Sequence, residues 1–212
     1  MQSDRDGQSG RVRHLSLSAG LVVATLILLG IWNMAAPSAM TPKTLQVPGA
    51  YAIVQEAPLT AFLFYIGDSL FVAVALWMFF LLAQLARKQP WLLALGLAAA
   101  LAKAGADWTE NLGLAWPAVQ VMLGQEALPT IEAQLWLLDL IKRLGGCLSA
   151  LAFGVLYPRK GLSGKLAAYL LLATALFTAA GFVFPLFMQA NAALLFFAAT
   201  AIAWDAHCHA RS

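Results

Sequence analysis

Four acids and three bases lie within long apolar runs of this chain, and their spacing is what chemistry could use: Asp68, Asp107, Glu110 and Asp139 against Lys103, Lys142 and Arg143. Lys103, Asp107, Glu110, Asn111 and Leu114 follow an i, i+4, i+7, i+8, i+11 pattern, which is one stripe of a helix. Asp139, Lys142 and Arg143 form a second stripe; Tyr65, Asp68 and Ser69 form a third. Asp107 and Glu110, three apart on one face, are the coupled carboxyl pair that could act as general acid and base. Four acids against three bases leave a surplus of one, so the cluster is expected to retain a proton.

The elements that must position these residues follow from composition. The 212 residues are 61% apolar and only 11% charged, and mean hydropathy is +0.77. A soluble domain carries about 25% charged residues, so a water-exposed fold, a disordered chain and a disulfide scaffold are excluded. Crossing ~30 Å of hydrocarbon takes about 20 residues of helix. Six such segments are expected, over residues 15–36, 60–86, 91–116, 135–157, 166–188 and 190–207, with residues 1–14 and 208–212 as cytoplasmic tails. The runs are continuous rather than alternating, which excludes membrane β-strands. The expected fold is therefore all-α, a polytopic six-span bundle with no second domain.

Lysine and arginine orient it. With the N-terminus cytoplasmic, the inner segments hold Arg5, Arg11, Arg13, Arg87, Lys88, Arg159, Lys160, Lys165 and Arg211, while the outer loops hold only Lys43. That asymmetry places both termini on the cytoplasmic side of the membrane. It also accounts for the pI near 9.0 without nucleic acid as a partner. The first run is longer than a signal-peptide core of about 7–15 residues, and Pro37 spoils the small-residue site within Ala35–Ala39, so a retained helix is expected.

Counted from the outer ends at 1.5 Å per residue, Asp139 lies ~6 Å deep, Glu110 ~9 Å, Lys142 ~10 Å, Asp68 ~12 Å, Asp107 ~13 Å and Lys103 ~20 Å. Spans two, three and four thus bring charges to one layer, in the outer half. A charge facing lipid there costs at least about 2.5–3.5 kcal/mol, so they should face one another or water. Gly96, Ala100 and Ala104 on span three and Gly146, Ala150 and Gly154 on span four would let these helices approach closely. Ionisable residues are read as absent from the interiors of spans one, five and six, which argues against the inverted repeats of many transporters.

Other candidates are weaker. His207, Cys208 and His209 after Asp205 could hold a metal only on a tail with no further partners, and no metal or other cofactor is expected. Ser69 and Ser149 lack a nearby His base. Trp32, Trp91, Trp116, Trp136 and Trp204 fall near span ends and read as interfacial anchors, while Trp108 lies beside the acidic stripe. Pro117 and Pro129 are expected to bound an outer loop, with Ala118–Leu128 lying along the membrane surface.

The segments Tyr65-Ile-Gly-Asp68-Ser69-Leu-Phe71 and Asp107-Trp-Thr-Glu110-Asn111-Leu112, with Lys142 one helix later, resemble a pattern in uncharacterised bacterial multi-span membrane proteins. The resemblance covers spans two to four. It implies that Asp68, Asp107, Glu110, Asn111 and Lys142 belong together, with Lys103 and Arg143 outside the pattern, and it implies no activity.

The expected function is binding or processing of a small polar ligand or lipid headgroup, with enzymatic activity left open. Asp107 and Glu110 are the catalytic pair, Lys142 with Arg143 neutralises an anionic group, and Asp68, Asn111, Asp139 and Tyr65 complete the binding site. Membrane lipids are the surrounding partners, and a homo-oligomer stays open. The alternatives are a proton- or cation-coupled carrier using the same carboxylates, and a scaffold whose charges are only a packing lock.

Overall fold

The computed structural model describes residues 2–35, 54–85, 89–126, 134–182 and 186–210. Lys43, Arg87, Lys88, Arg211, Pro37, Pro129 and residues 127–128 of the expected surface stretch lie outside the described residues. Among the described residues the chain is all-helical, with six helices of 20 or more residues: α1 (Gln2–Ala35), α2 (Pro58–Leu85), α3 (Pro90–Met122), α4 (Leu135–Leu156), α5 (Gly161–Ala180) and α6 (Leu186–Ala210). Four stretches are long and apolar enough to cross a membrane: Gly10–Trp32 of α1, and the whole of α2, α3 and α5.

The helices form a closed ring. Each packs against its neighbours in sequence, and α6 returns to pack against α1. Neighbours run antiparallel: Glu110 and Gly96 of α3 meet Lys142 and Ala152 of α4, so residue numbers rise on one helix as they fall on the other. Ser16, near the middle of α1, donates to the Ala203 carbonyl of α6 at 3.3 Å. Of all the seams, α3 makes the two broadest, with α4 and α2. The expectation that spans two to four pack as a unit therefore agrees with the contacts.

One half of the ring is filled. Met78 and Phe79 of α2, Phe153 of α4, Leu171 of α5 and Ile202 of α6 are buried at its centre, where Phe79 and Phe153 stack with centroids 4.9 Å apart. Burying a large apolar side chain contributes about 1.5–3 kcal/mol in water, and within a bilayer the gain is mainly close packing. The opposite half carries the charges.

Several expected boundaries shift. The N-terminal tail is helical from Gln2, continuous with the first apolar run. Pro117 does not open a loop: it is buried inside α3, which continues to Met122. The helix stops at Gly124, whose φ of +72° suits glycine, with Gly124 N–H donating to the Val121 carbonyl and Gln125 N–H to that of Gln120. That leaves Ala118–Met122 within α3 and not in a loop. The turn between the last two helices also comes earlier than expected, since α5 ends at Ala180 and α6 begins at Leu186. Cys208 lies within α6 and not in a tail.

Candidate functional site

Helix α3 carries the centre of the charged half. Its buried face holds Ala100, Ala104, Asp107, Asn111 and Leu114, and the opposite face holds exposed Leu101, Gly105, Thr109, Leu112 and Trp116. Asp107 is only 7% exposed and points into the ring. Lys103, one turn earlier, makes an ion pair with its carboxylate. From α4, the Lys142 ammonium lies 3.6 Å from the other Asp107 oxygen and donates to Glu110 Oε2 at 2.6 Å. Asp107 therefore sits between two ammonium groups, one of which also holds Glu110.

The approach of α4 depends on one glycine. A Cβ on Gly145 would lie 2.6 Å from the Ala99 carbonyl oxygen and 2.9 Å from Lys103 Cβ. Its absence lets α4 rest on the α3 backbone, which brings Lys142, three residues earlier, over Asp107 and Glu110. The expected small-residue ridge is thus displaced by one position at its cluster end. Gly146 stands clear of the Lys103 backbone, with its nearest contact on the Lys103 side chain at 3.7 Å. Gly154 faces α5, where a Cβ would meet Leu172 at 2.9 Å. Gly96 does face α4, as expected, against Ala152 and Phe153.

Helix α2 supplies the third side. Asn111 donates to Asp68 Oδ2 at 2.9 Å and to Ser69 Oγ at 3.2 Å, and the Trp108 indole N–H donates to the Ser69 carbonyl at 3.2 Å. Trp108 is therefore an anchor between α2 and α3. Among the described residues Asp68 has no basic side chain within ion-pair distance; its hydrogen-bond partner is the neutral Asn111. Beneath the cluster, a cavity of about 40 Å³ is bordered by Phe71, Ala75, Phe79, Lys103 and Leu195, room for one or a few waters.

Not all the expected members converge. Asp139 pairs with Arg143 at 2.6 Å, and Arg143 turns towards α5, donating to the Gly181 carbonyl at 3.2 Å and lying over the Phe182 ring. A cation there complements the carbonyl end of α5. Arg143 is thus placed as a clamp on α5, apart from Lys142, which it was expected to assist. Tyr65 packs with Phe62 and Val121 around Val54, Ala61 and Ala118, and meets Phe64 edge-on. Lys103, placed outside the resembling pattern, lies at the heart of the cluster. Its i, i+4 relation to Asp107 was the available sign.

A second carboxylate centre was missed altogether. Asp205 of α6 is buried at the opposite end of the ring, which corrects the expectation that the last span has no ionisable interior. It accepts hydrogen bonds from Tyr157 Oη at 3.0 Å and Ser163 Oγ at 2.6 Å, and His209 Nδ1 stands 3.5 Å from Oδ1. Gly164 makes room for this centre, since a Cβ there would be 2.5 Å from the Pro158 carbonyl oxygen.

Chemically, the first cluster presents two ammonium donors and three carboxylates, with a surplus of one acid once Asp139 and Arg143 are set aside as a pair. Among the described residues no three His, Cys, Asp or Glu side chains converge as a metal site. Comparison with protein-family models, with curated proteins and with solved structures finds no match for this chain.

Proposed function

We propose that this is a six-span protein of a bacterial cytoplasmic membrane, both termini inside, whose ring binds a small polar ligand or lipid headgroup from the outer side. Six spans are supported by the lipid-facing surfaces of the two helices beyond the four apolar stretches. The charges of α4 point inward, while Leu137, Leu140, Leu144, Leu148, Leu151 and Val155 are exposed on its other face. On α6, Phe197 and Trp204 are exposed and Asp205 is buried. Exposed Trp116 and Trp136 at the cluster end and Trp91 and Trp204 at the other suit two interfacial belts.

The observation that carries the binding reading is charge that stays partly accessible within the cluster. The side chains of Lys103, Lys142 and Glu110 keep 34%, 21% and 23% of their surface, although they are ion-paired and surrounded by apolar helices. A lock built only for packing would bury such groups completely or replace them with apolar ones. Lys142 and Lys103 are placed to take phosphate oxygens, Glu110 and Asp107 to take an ammonium group or a proton, and Asp68 with Asn111 to orient the ligand. A ligand carrying phosphate, alone or in a zwitterion, matches that set. Asp107 and Glu110 are then the pair that would exchange protons with it.

Calorimetric titration of the detergent-purified protein with glycerol 3-phosphate and with phosphoethanolamine tests this. Saturable heats that Lys142→Met abolishes are expected; heats equal to those of glycerol would refute the reading. The second reading, a proton-coupled carrier, is favoured by Asp68, an acid in the ring with only a neutral hydrogen-bond partner. Proton flux in liposomes that Asp68→Asn removes would select it.

A further inference from the structure

The seam between α1 and α6 is closed at one end and open at the other. Towards the Asp205 end, Leu15, Ser18, Ala19 and Val22 of α1 are buried, as are Ala198, Ala199, Ala201 and Ile202 of α6. Towards the cluster end the pattern stops: no residue from 23 to 32 of α1, and none from 191 to 197 of α6, is buried. At that level α3 and α5 remain packed, with Asp107, Asn111 and Leu114 on one and Thr174 and Thr178 on the other buried. Level with the charges, Val23, Leu26, Leu29 and Leu195 pack against the core but stay only partly buried, so the wall is thinnest there.

An open groove of about 290 Å³ occupies that place, lined by Leu26, Ile27, Ala192, Ala193, Phe196 and Phe197. Its lining is wholly apolar and it faces the lipid side. Leu195, in the same turn of α6, borders the interior cavity that Lys103 also borders. One helical turn thus separates an apolar groove outside from an ammonium group inside. Asn191 lies one turn before Leu195 on the same face of α6, and its side-chain oxygen Oδ1 is buried without a hydrogen-bond donor among the described residues. A buried acceptor of this kind is the sort of group a ligand hydroxyl satisfies.

We propose that the α1–α6 seam is a lateral portal for a single-chain phospholipid. The acyl chain lies in the groove among Ile27, Ala193 and Phe197, and the phosphate enters the ring towards Lys103 and Lys142. A glycerol hydroxyl donates to Asn191 Oδ1. A lipid suits both surfaces because it alone joins an apolar chain to a phosphate over this short distance. The free headgroup leaves the groove unused, and a second copy of the chain offers it no charge for the lysines. This inference rests on the headgroup-binding reading above and narrows it to lipid.

Melting temperature in a maltoside detergent, with three probes, tests it. Lysophosphatidic acid carries chain and phosphate, monoolein the chain alone, and glycerol 3-phosphate the phosphate alone. Lysophosphatidic acid is expected to raise the wild-type melting temperature by roughly 5–10 °C at hundredfold excess over its Kd, well beyond either other probe. Ala193→Phe and Ala192→Leu fill the groove at exposed positions where a larger side chain meets no core. Each is expected to melt within a few degrees of wild type unliganded, and to reduce the lysophosphatidic acid shift to that of glycerol 3-phosphate. If the lipid shift survives in both variants, the portal is wrong and the headgroup site stands. A monoolein shift equal to that of lysophosphatidic acid would overturn the coupling of chain to phosphate. If neither phosphate probe shifts the wild type, portal and headgroup reading fall together.

Discussion

Two buried aspartates sit at opposite ends of one ring and are held in opposite ways. Asp205 takes its hydrogen bonds from neutral hydroxyls, Tyr157 at the end of α4 and Ser163 in the first turn of α5, in a corner tight enough to need Gly164. Asp107 is held by two ammonium groups, and its neighbours Lys103, Lys142 and Glu110 keep part of their surface exposed. The first arrangement joins the ends of three helices and leaves no donor idle. The second holds ion-paired side chains that stay partly exposed. Burial of a carboxylate alone therefore does not tell the two centres apart; the kind of partner and the remaining access do.

The largest effect should come from removing the structural member of that comparison. Asp205→Ala leaves the hydroxyls of Tyr157 and Ser163 without an acceptor, and orphaned buried groups cost about 1–3 kcal/mol each. Unfolding titrations in mixed detergent micelles should show a loss of about 2–5 kcal/mol; a wild-type midpoint would mean that this end is not a clamp. Gly145→Ala comes next, because its methyl meets backbone at Ala99 and the root of Lys103. Overpacking of this kind costs about 1–3 kcal/mol, and the displacement of α4 should also weaken glycerol 3-phosphate binding. Normal melting together with normal binding would show that α4 yields without moving Lys142.

Smaller changes sharpen the contrast. Arg143→Ala removes the pair with Asp139 and the contact to the Gly181 carbonyl. A loss of about 1–2 kcal/mol with headgroup binding intact is expected, in line with a clamp on α5; lost binding would return Arg143 to the ligand site. Gly105→Ala, on the exposed face of α3 with nothing within 4 Å of its new methyl, should raise stability by about 0.5–1 kcal/mol through helix propensity. A lower melting point for that variant would place an unseen partner against α3.

The helices and the cluster were legible because charge is expensive in an apolar run, and its period of 3.6 points to a shared face. The same reasoning could not choose between adjacent glycines. Gly145 and Gly146 differ by 100° around α4, and only the position of Ala99 on another helix decides which one meets backbone. Asp205 falls inside the expected last span, but near its end and beside His207 and His209, so it reads only as a flank of that weak metal candidate. Its burial arises from partners 48 and 42 residues away, at helix ends that local pattern does not place. Pro117 misled for a related reason: proline commonly ends a helix in water, but in tightly packed apolar surroundings the helix can continue through it.

The contrast between the two aspartate centres is tested most directly by melting Lys142→Met and Glu110→Gln beside Asp205→Ala under one detergent condition. Accessible, exchangeable charges should behave like partly solvated pairs, so the two cluster variants should stay within about 1 kcal/mol of wild type, roughly 2–4 °C. Asp205→Ala should fall well below both. If Lys142→Met and Glu110→Gln instead lose about 3–5 kcal/mol, as when one partner of a fully buried pair is removed, the cluster is a packing lock and the ring interior is no binding site.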